Sequence, residues 1–151
     1  MKDLFDVHCH MVPGVDDGAS DLEESLAMLK MEYRDGVRNI IVTPHYRRRM
    51  FETPAKKVHE QFQKLQEAAK KEYPDLSLYL GCELHSNMDL QEILEKRKYV
   101  TMAGSSYVLL EFSEGDSAQH IRERVYNVLS CGYEPIIAHV ERYQALSLIH
   151  I

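Results

Sequence analysis

Residues 4–20, "LFDVHCHMVPGVDDGAS", decide how this chain is read. A short extended run ends in His8 and His10, one residue apart, then turns through Pro13, Gly14, Asp16, Asp17 and Gly18. In a strand, side chains at i and i+2 share a face, so both imidazoles point the same way. A core strand has no use for two imidazoles on one face. A metal ion does, because neutral imidazole is a common metal ligand. The stretch therefore reads as a first β-strand whose C-terminal end begins a metal site.

Working outward, strand and helix patterns alternate. Ser20 and Glu23 stand at the S-x-x-E spacing of a capping box, and Leu22, Leu26, Leu29 and Tyr33 recur at helical spacing up to Gly36. "VRNIIVTPH" (37–45) is a β-branched second strand. "TPAKKVHEQFQKLQEAAKKEY" (53–73) is a helix with Pro54 in its first turn, a stripe of Val58, Phe62, Leu65 and Ala69, and Pro74 as its stop. "LSLYLGCE" (76–83) is a third strand and "MDLQEILEKR" (88–97) a short helix. "YVLLEF" (107–112) is a fourth strand, and the helix in 116–132 turns Ile121, Val125, Val128 and Leu129 inward. "EPIIAHVER" (134–142) is a fifth strand. Strands alternating with helices predict a parallel α/β sheet or barrel in one domain, 1–151.

Composition narrows the function. The 151 residues are 44% hydrophobic and 28% charged, as in a globular domain. A net charge of −6 argues against general nucleic-acid binding, which needs a basic face. Three scattered cysteines, Cys9, Cys82 and Cys131, do not suggest a disulfide framework and predict a cytoplasmic protein. No run reaches the roughly 18 apolar residues of a membrane span, and the start has no signal-peptide pattern.

The chemistry recurs in one place. His8 and His10, His45, Glu83, Glu111 and His139 fall at the C-terminal ends of the five predicted strands. In β/α barrels that end carries the active site. A carboxylate closing an apolar run, as in "LGCE" or "LLEF", is costly to bury unless paired or metal-bound. "VDDG" also reads as a turn, so Asp17 as a ligand competes with Asp16. Mixed imidazole and carboxylate ligands suit zinc, manganese or iron better than calcium or magnesium. More than four ligands exceed one tetrahedral zinc, which points to two or three ions and to hydrolytic phosphate chemistry. Arg47, Arg48 and Arg49 follow His45, and Arg142 follows His139 by three residues; arginine forks onto phosphate oxygens.

These motifs resemble the polymerase and histidinol phosphatase (PHP) superfamily, whose opening strand is D-x-H-x-H, here Asp6 to His10. Together with "VTPHYRRRMFETP", "GCELH", "LLEF" and "PIIAHVERY", they are similar to the bacterial PHP-type protein-tyrosine phosphatases of capsule and exopolysaccharide operons. The resemblance runs from Asp6 to about Leu146. It implies a distorted (β/α)7 barrel holding two to three divalent ions, manganese foremost, with iron, zinc or magnesium as alternatives. It places His8, His10, Asp17, His45, Glu83, Glu111 and His139 on the metal ligands, with Glu83 bridging, and Arg142 on a phosphate-binding arginine. The implied substrate is phosphotyrosine in the C-terminal tail of a bacterial tyrosine kinase that regulates polysaccharide export.

One departure shapes the expectations. The family's late Asp-x-His motif is absent, since Leu148 stands two positions before His150. Five of seven strands are then expected, in a chain that looks C-terminally truncated. That predicts an open barrel with an exposed apolar edge and homo-oligomerisation to cover it. No arginine follows any cysteine at the C-x5-R spacing, so direct hydrolysis is expected rather than a phosphocysteine route. The rival readings are a small-phosphomonoester phosphatase of histidinol phosphatase type, and a catalytically silent metal- or kinase-binding module.

Overall fold

The structure, a computed structural model, describes residues 3–87, 89–95 and 101–147. The five expected strand paths are present and parallel, but two of them are broken. The elements are β1 (Leu4–Cys9), α1 (Leu22–Asp35), β2 (Val37–Val42), β3 (His45–Tyr46), α2 (Ala55–Glu72), β4 (Ser77–Leu80), β5 (Glu83–His85), α3 (Leu90–Glu95), β6 (Tyr107–Glu111), α4 (Ala118–Ser130), β7 (Glu134–Ile137) and α5 (Gln144–Ser147). One sheet has the order β1-β2-β4 and the other β3-β5-β6-β7. The second predicted strand breaks where Pro44 has no N–H to donate. The third breaks at Gly81, where a Cβ would lie 3.0 Å from both the Ile41 side chain and Met102 Sδ. Hydrogen bonds still cross both breaks, from Gly81 N–H to Val42 O (2.8 Å) and from Glu83 N–H to Pro44 O (3.1 Å).

The helices pack on one face of this surface. Leu29 of α1 and Val58, Phe62, Leu65 and Ala69 of α2 close over Val37, Ile40, Val42 and Leu78. Ile93, Leu94, Ile121 and Val128 of α3 and α4 close over Leu84, Val108 and Leu110. Because strand side chains alternate, Glu83 beside Leu84 and Glu111 beside Leu110 point to the opposite face. There Ile41, Met102, Leu109 and Ala138 form a small apolar group. The first strand leaves Leu4, Phe5 and Val7 exposed, at 39%, 70% and 51%.

Several local expectations are corrected. The N-cap of α1 is Asp21, not Ser20: Asp21 Oδ1 accepts from Glu24 N–H at 2.9 Å, while Glu24 reaches back to Ser20. The cap sits one residue later than the spacing suggested because Asp21, an equally good cap, holds the extended backbone from which its carboxylate reaches Glu24 N–H. Pro54 is the N-cap of α2 with extended ψ rather than part of its first turn. Leu129 is 48% exposed, because α4 buries only a narrow stripe around Ile121 and Val128. The fifth strand ends at Ile137, and Val140–Arg142 form a 3-10 turn. Met88, the end of the 88–97 helix and the "SLIHI" end from Leu148 on lie outside the described residues.

Candidate metal centre

Four imidazoles converge on one carboxylate. Glu83, at the start of β5, is 1% exposed. Its Oε2 lies 3.1 Å from His8 Nε2, 3.1 Å from His10 Nε2 and 3.3 Å from His45 Nδ1. Its Oε1 lies 2.9 Å from His139 Nε2. Glu111, ending β6, sets Oε2 3.7 Å from His45 Nδ1 and Oε1 4.0 Å from His139 Nε2. Asp17 Oδ1 is 3.6 Å from His45 Nε2. Three overlapping ligand triads result: His8, His10 and Glu83; His10, Asp17 and His45; His45, Glu83 and Glu111. Arg142 and Gly18 complete the wall of a cleft of about 460 Å³.

The donor set fits divalent cations. His45 Nδ1 and Glu111 Oε2 are buried and have no hydrogen-bond partner. An unmet buried polar atom costs on the order of 1–3 kcal/mol, and a cation coordinated by both removes that cost. Burial alone would raise the Glu83 carboxyl, yet hydrogen bonds from His10 and His8 hold it far below the usual carboxylate range. Burial would lower the His10 imidazole, but Asp16 and Glu83 raise it to about 10. Protons that occupy these lone pairs are what a cation displaces on binding.

Asp16 stands behind the ligands. Its side chain has no exposed surface, and Oδ2 accepts from His10 Nδ1 at 2.8 Å and from His45 N–H at 2.9 Å. Oδ1 accepts from Gly18 N–H at 3.1 Å. Burial would raise this carboxyl, but these three donors hold it below its ordinary value. A proton on His10 Nδ1 leaves Nε2 directed at the cluster, the arrangement that orients metal-ligating histidines. Thus Asp17 faces the cleft and Asp16 holds rings and backbone. Gly18 makes the turn feasible: a Cβ there would fall 2.1 Å from His10 O.

His139 sits just past β7 with φ 32°, a left-handed conformation unusual for a side-chain-bearing residue. Its Nδ1 lies 3.0 Å from the Tyr143 hydroxyl, which also accepts from Phe112 N–H at 3.1 Å. Phe51 stacks on His45, with ring centroids 5.1 Å apart. Phe51 also pairs with Arg47 to close a hairpin whose Arg48, Arg49 and Met50 are exposed. Neither Arg47 nor Arg48 lines the cleft that holds Arg142. Buried His85 shares the face of Glu83 but stays outside the cluster, its Nδ1 accepting from Asn87 N–H at 3.2 Å. Cys9, Cys82 and Cys131 are free thiols; none of them lines the cleft, and burial pushes Cys9 and Cys82 up.

Sequence reasoning did not find Tyr143 or Phe51. Tyr143 lies four residues beyond His139, but that spacing alone does not mark its hydroxyl as a partner. It left Asp16 as a rival ligand, because two adjacent aspartates carry no mark of which side chain turns inward.

Two parallel sheets thus gather imidazoles and carboxylates at their strand ends, a histidine–carboxylate cluster of the kind that could hold metal ions. The family model described as "Capsular polysaccharide synthesis, CpsB/CapC" matches residues 4–149, and the chain belongs to that family. It is 44% identical over 143 residues to tyrosine-protein phosphatase CpsB of Streptococcus pneumoniae, covering 95% of this chain and 59% of that protein. Tyrosine-protein phosphatase YwqE of Bacillus subtilis is 32% identical over 139 residues, covering 92% of this chain and 55% of its own length. Among solved structures, a chain from the work on YwqE of B. subtilis and CpsB of S. pneumoniae, described as unique metal-dependent tyrosine phosphatases, superposes with TM-score 0.85 at 30% identity. It covers 96% of this chain and 59% of its own length. The chain therefore spans a little over half the length of these relatives.

Proposed function

We propose that this chain is a metal-dependent phosphomonoesterase acting on phosphotyrosyl protein. The observation that carries the reading is the convergence of four imidazoles on buried Glu83, with His45 Nδ1 and Glu111 Oε2 lacking a hydrogen bond in a cleft that Arg142 also lines. His8, His10, Asp17, His45, Glu83, Glu111 and His139 would hold two to three divalent ions, manganese foremost. Such ions, when bound, lower the pKa of water and offset phosphoryl charge. Arg142 grips the phosphoryl oxygens in its bidentate fork, while Asp16 keeps His10 and the His45 backbone in place. Arg47 and Arg48, on the hairpin beyond His45, face the rest of the substrate. The departing phenolate takes its proton from water at the open cleft.

The names of the relatives, the capsule synthesis of the family description and the metal dependence stated for the structural neighbours support this reading. On it the substrate is the tail of a bacterial tyrosine kinase in capsule or exopolysaccharide regulation, as the sequence resemblance implies. On the same reading the sheet is part of a distorted (β/α)7 barrel in a single cytoplasmic domain. Copies of the chain associate through exposed Leu4, Phe5 and Val7. No helix among the described residues is long and apolar enough to cross a membrane.

The test is hydrolysis of a phosphotyrosyl peptide after Mn²⁺ loading and removal of excess metal. Chelation should abolish turnover, thiol alkylation should spare it, and Glu83→Ala should lose both bound metal and activity. Faster turnover of histidinol phosphate would replace the substrate assignment. Stoichiometric metal without any hydrolysis would leave a binding module instead.

A further inference from the structure

The strands β1 and β2 do not run in even step. Asp6 pairs with Ile40 and Cys9 with Val42, so Val7 and His8 together stand opposite the single residue Ile41. This is a β-bulge, one extra residue carried by one strand of a pair. Residues paired in register point to the same side of the sheet. Ile40, Val42 and Cys9 all pack in the apolar cluster beneath α1 and α2, so Asp6 lies on the helix side as well. Burial, and after it the Asp6 and Asp35 charges, raise the Glu32 carboxyl of α1, which places Asp6 beside that helix.

The extra residue decides where the imidazoles go. In an unbroken strand, two steps from Asp6 return to its own side, and His8 and His10 would turn toward the helices. Instead Asp6 and Cys9, three residues apart, share the helix side, and both imidazoles reach Glu83 Oε2 at 3.1 Å on the other. The bulge has a visible tie. Asp6 Oδ1 accepts from His8 N–H at 3.0 Å, closing a turn of the Asx type over Val7. Val7 itself is 51% exposed, and Asp6 does not line the cleft.

We propose that Asp6 is a positioning residue: its carboxylate holds the His8 amide and so fixes the extra residue in β1, which turns His8 and His10 from the helix side to the cleft. Asp6 acts through backbone and is not itself a ligand. The inference rests on the reading of the cluster as a divalent cation site.

The test follows Zn²⁺ binding to the full chain by calorimetry and the exchange of single amides by NMR without metal. Asp6→Ala removes the acceptor. It should strip protection from the His8 amide while the β2 amides keep theirs, and weaken Zn²⁺ binding about tenfold, the scale of a lost outer partner. Asp6→Asn retains an Oδ1 acceptor and should restore both. Deleting Val7 removes the extra residue, leaving His8 opposite Ile41 on the cleft side without any bulge to hold. Zn²⁺ affinity should therefore survive that deletion, and in the deleted chain Asp6→Ala should no longer weaken it. A merely structural role would add the two losses. A folded Asp6→Ala chain with native Zn²⁺ affinity overturns the inference, and so does loss of Zn²⁺ on deleting Val7, even where Asp6→Ala does not fold. Native protein that takes up no Zn²⁺ overturns the cation-site reading instead, and the His8 amide then decides by itself whether Asp6 holds the bulge.

Discussion

Three donors meet on the Asp16 carboxylate, namely the His10 ring and the amides of His45 and Gly18. The carboxylate therefore acts on two ligands at once, fixing the ring of one and the backbone of the other. Asp16→Asn keeps the shape but loses charge and one acceptor, and should weaken metal binding about 10–100-fold in a calorimetric titration. A pH signature accompanies it. The His10 imidazole is held at about 10 in the folded chain against 6.5 unfolded. A raised folded value contributes stability that is complete below 6.5 and is lost as pH climbs through about 10. Thermal unfolding of the metal-free protein should accordingly fall across that window, and less steeply in Asp16→Asn. Equal slopes in the two proteins would show that Asp16 does not set the His10 proton.

At the scale of elements, the turn between β1 and α1 is as constrained as any strand. Ala19 N–H donates to His10 O at 3.0 Å, and Gly14 N–H to Ala19 O at 2.8 Å, folding the loop back on the first ligands. Gly18→Ala drives a methyl group into His10 O and should cost about 3 kcal/mol in chemical denaturation, with a loss of metal binding beyond that of Lys64→Ala, an exposed position on α2, as a control. Periodicity made most elements legible. Val58, Phe62, Leu65 and Ala69 are all buried, as their spacing predicts, because α2 needs one apolar stripe and has one. The two strand breaks were less visible. Pro44 sits inside a β-branched run, and the crowding at Gly81 comes from Met102, a residue distant in sequence. That these candidate ligands would gather was legible for a related reason: His8, Glu83 and Glu111 are polar groups in strands, and His10 directly follows one, where local sequence offers them no partner. Tyr143 was not, since an aromatic in a helical turn looks like ordinary core until its hydroxyl is placed.

Across the whole molecule, the breaks at Pro44 and Gly81 divide the strands into two sheets with two separate apolar clusters beneath them. His8 lies one residue before the end of β1 in one sheet, and His10 follows that strand. His45, Glu83 and Glu111 belong to the other, and His139 follows its last strand. Any ion bound here would consequently cross-link the two sheets, which are expected to open as separate units. Without metal, amide hydrogen exchange should resolve two opening energies, one for β1-β2-β4 with α1 and α2, the other for β5-β6-β7 with α4. Saturation with metal should raise both toward a common value, because neither unit can then open alone without losing the ion. Protection that grows in only one unit would mean that the ligands on the other contribute no binding energy. Where protection rises in both, mechanical integrity and the metal site depend on the same few ligands, and metal starvation loosens the molecule along this seam before it unfolds either half.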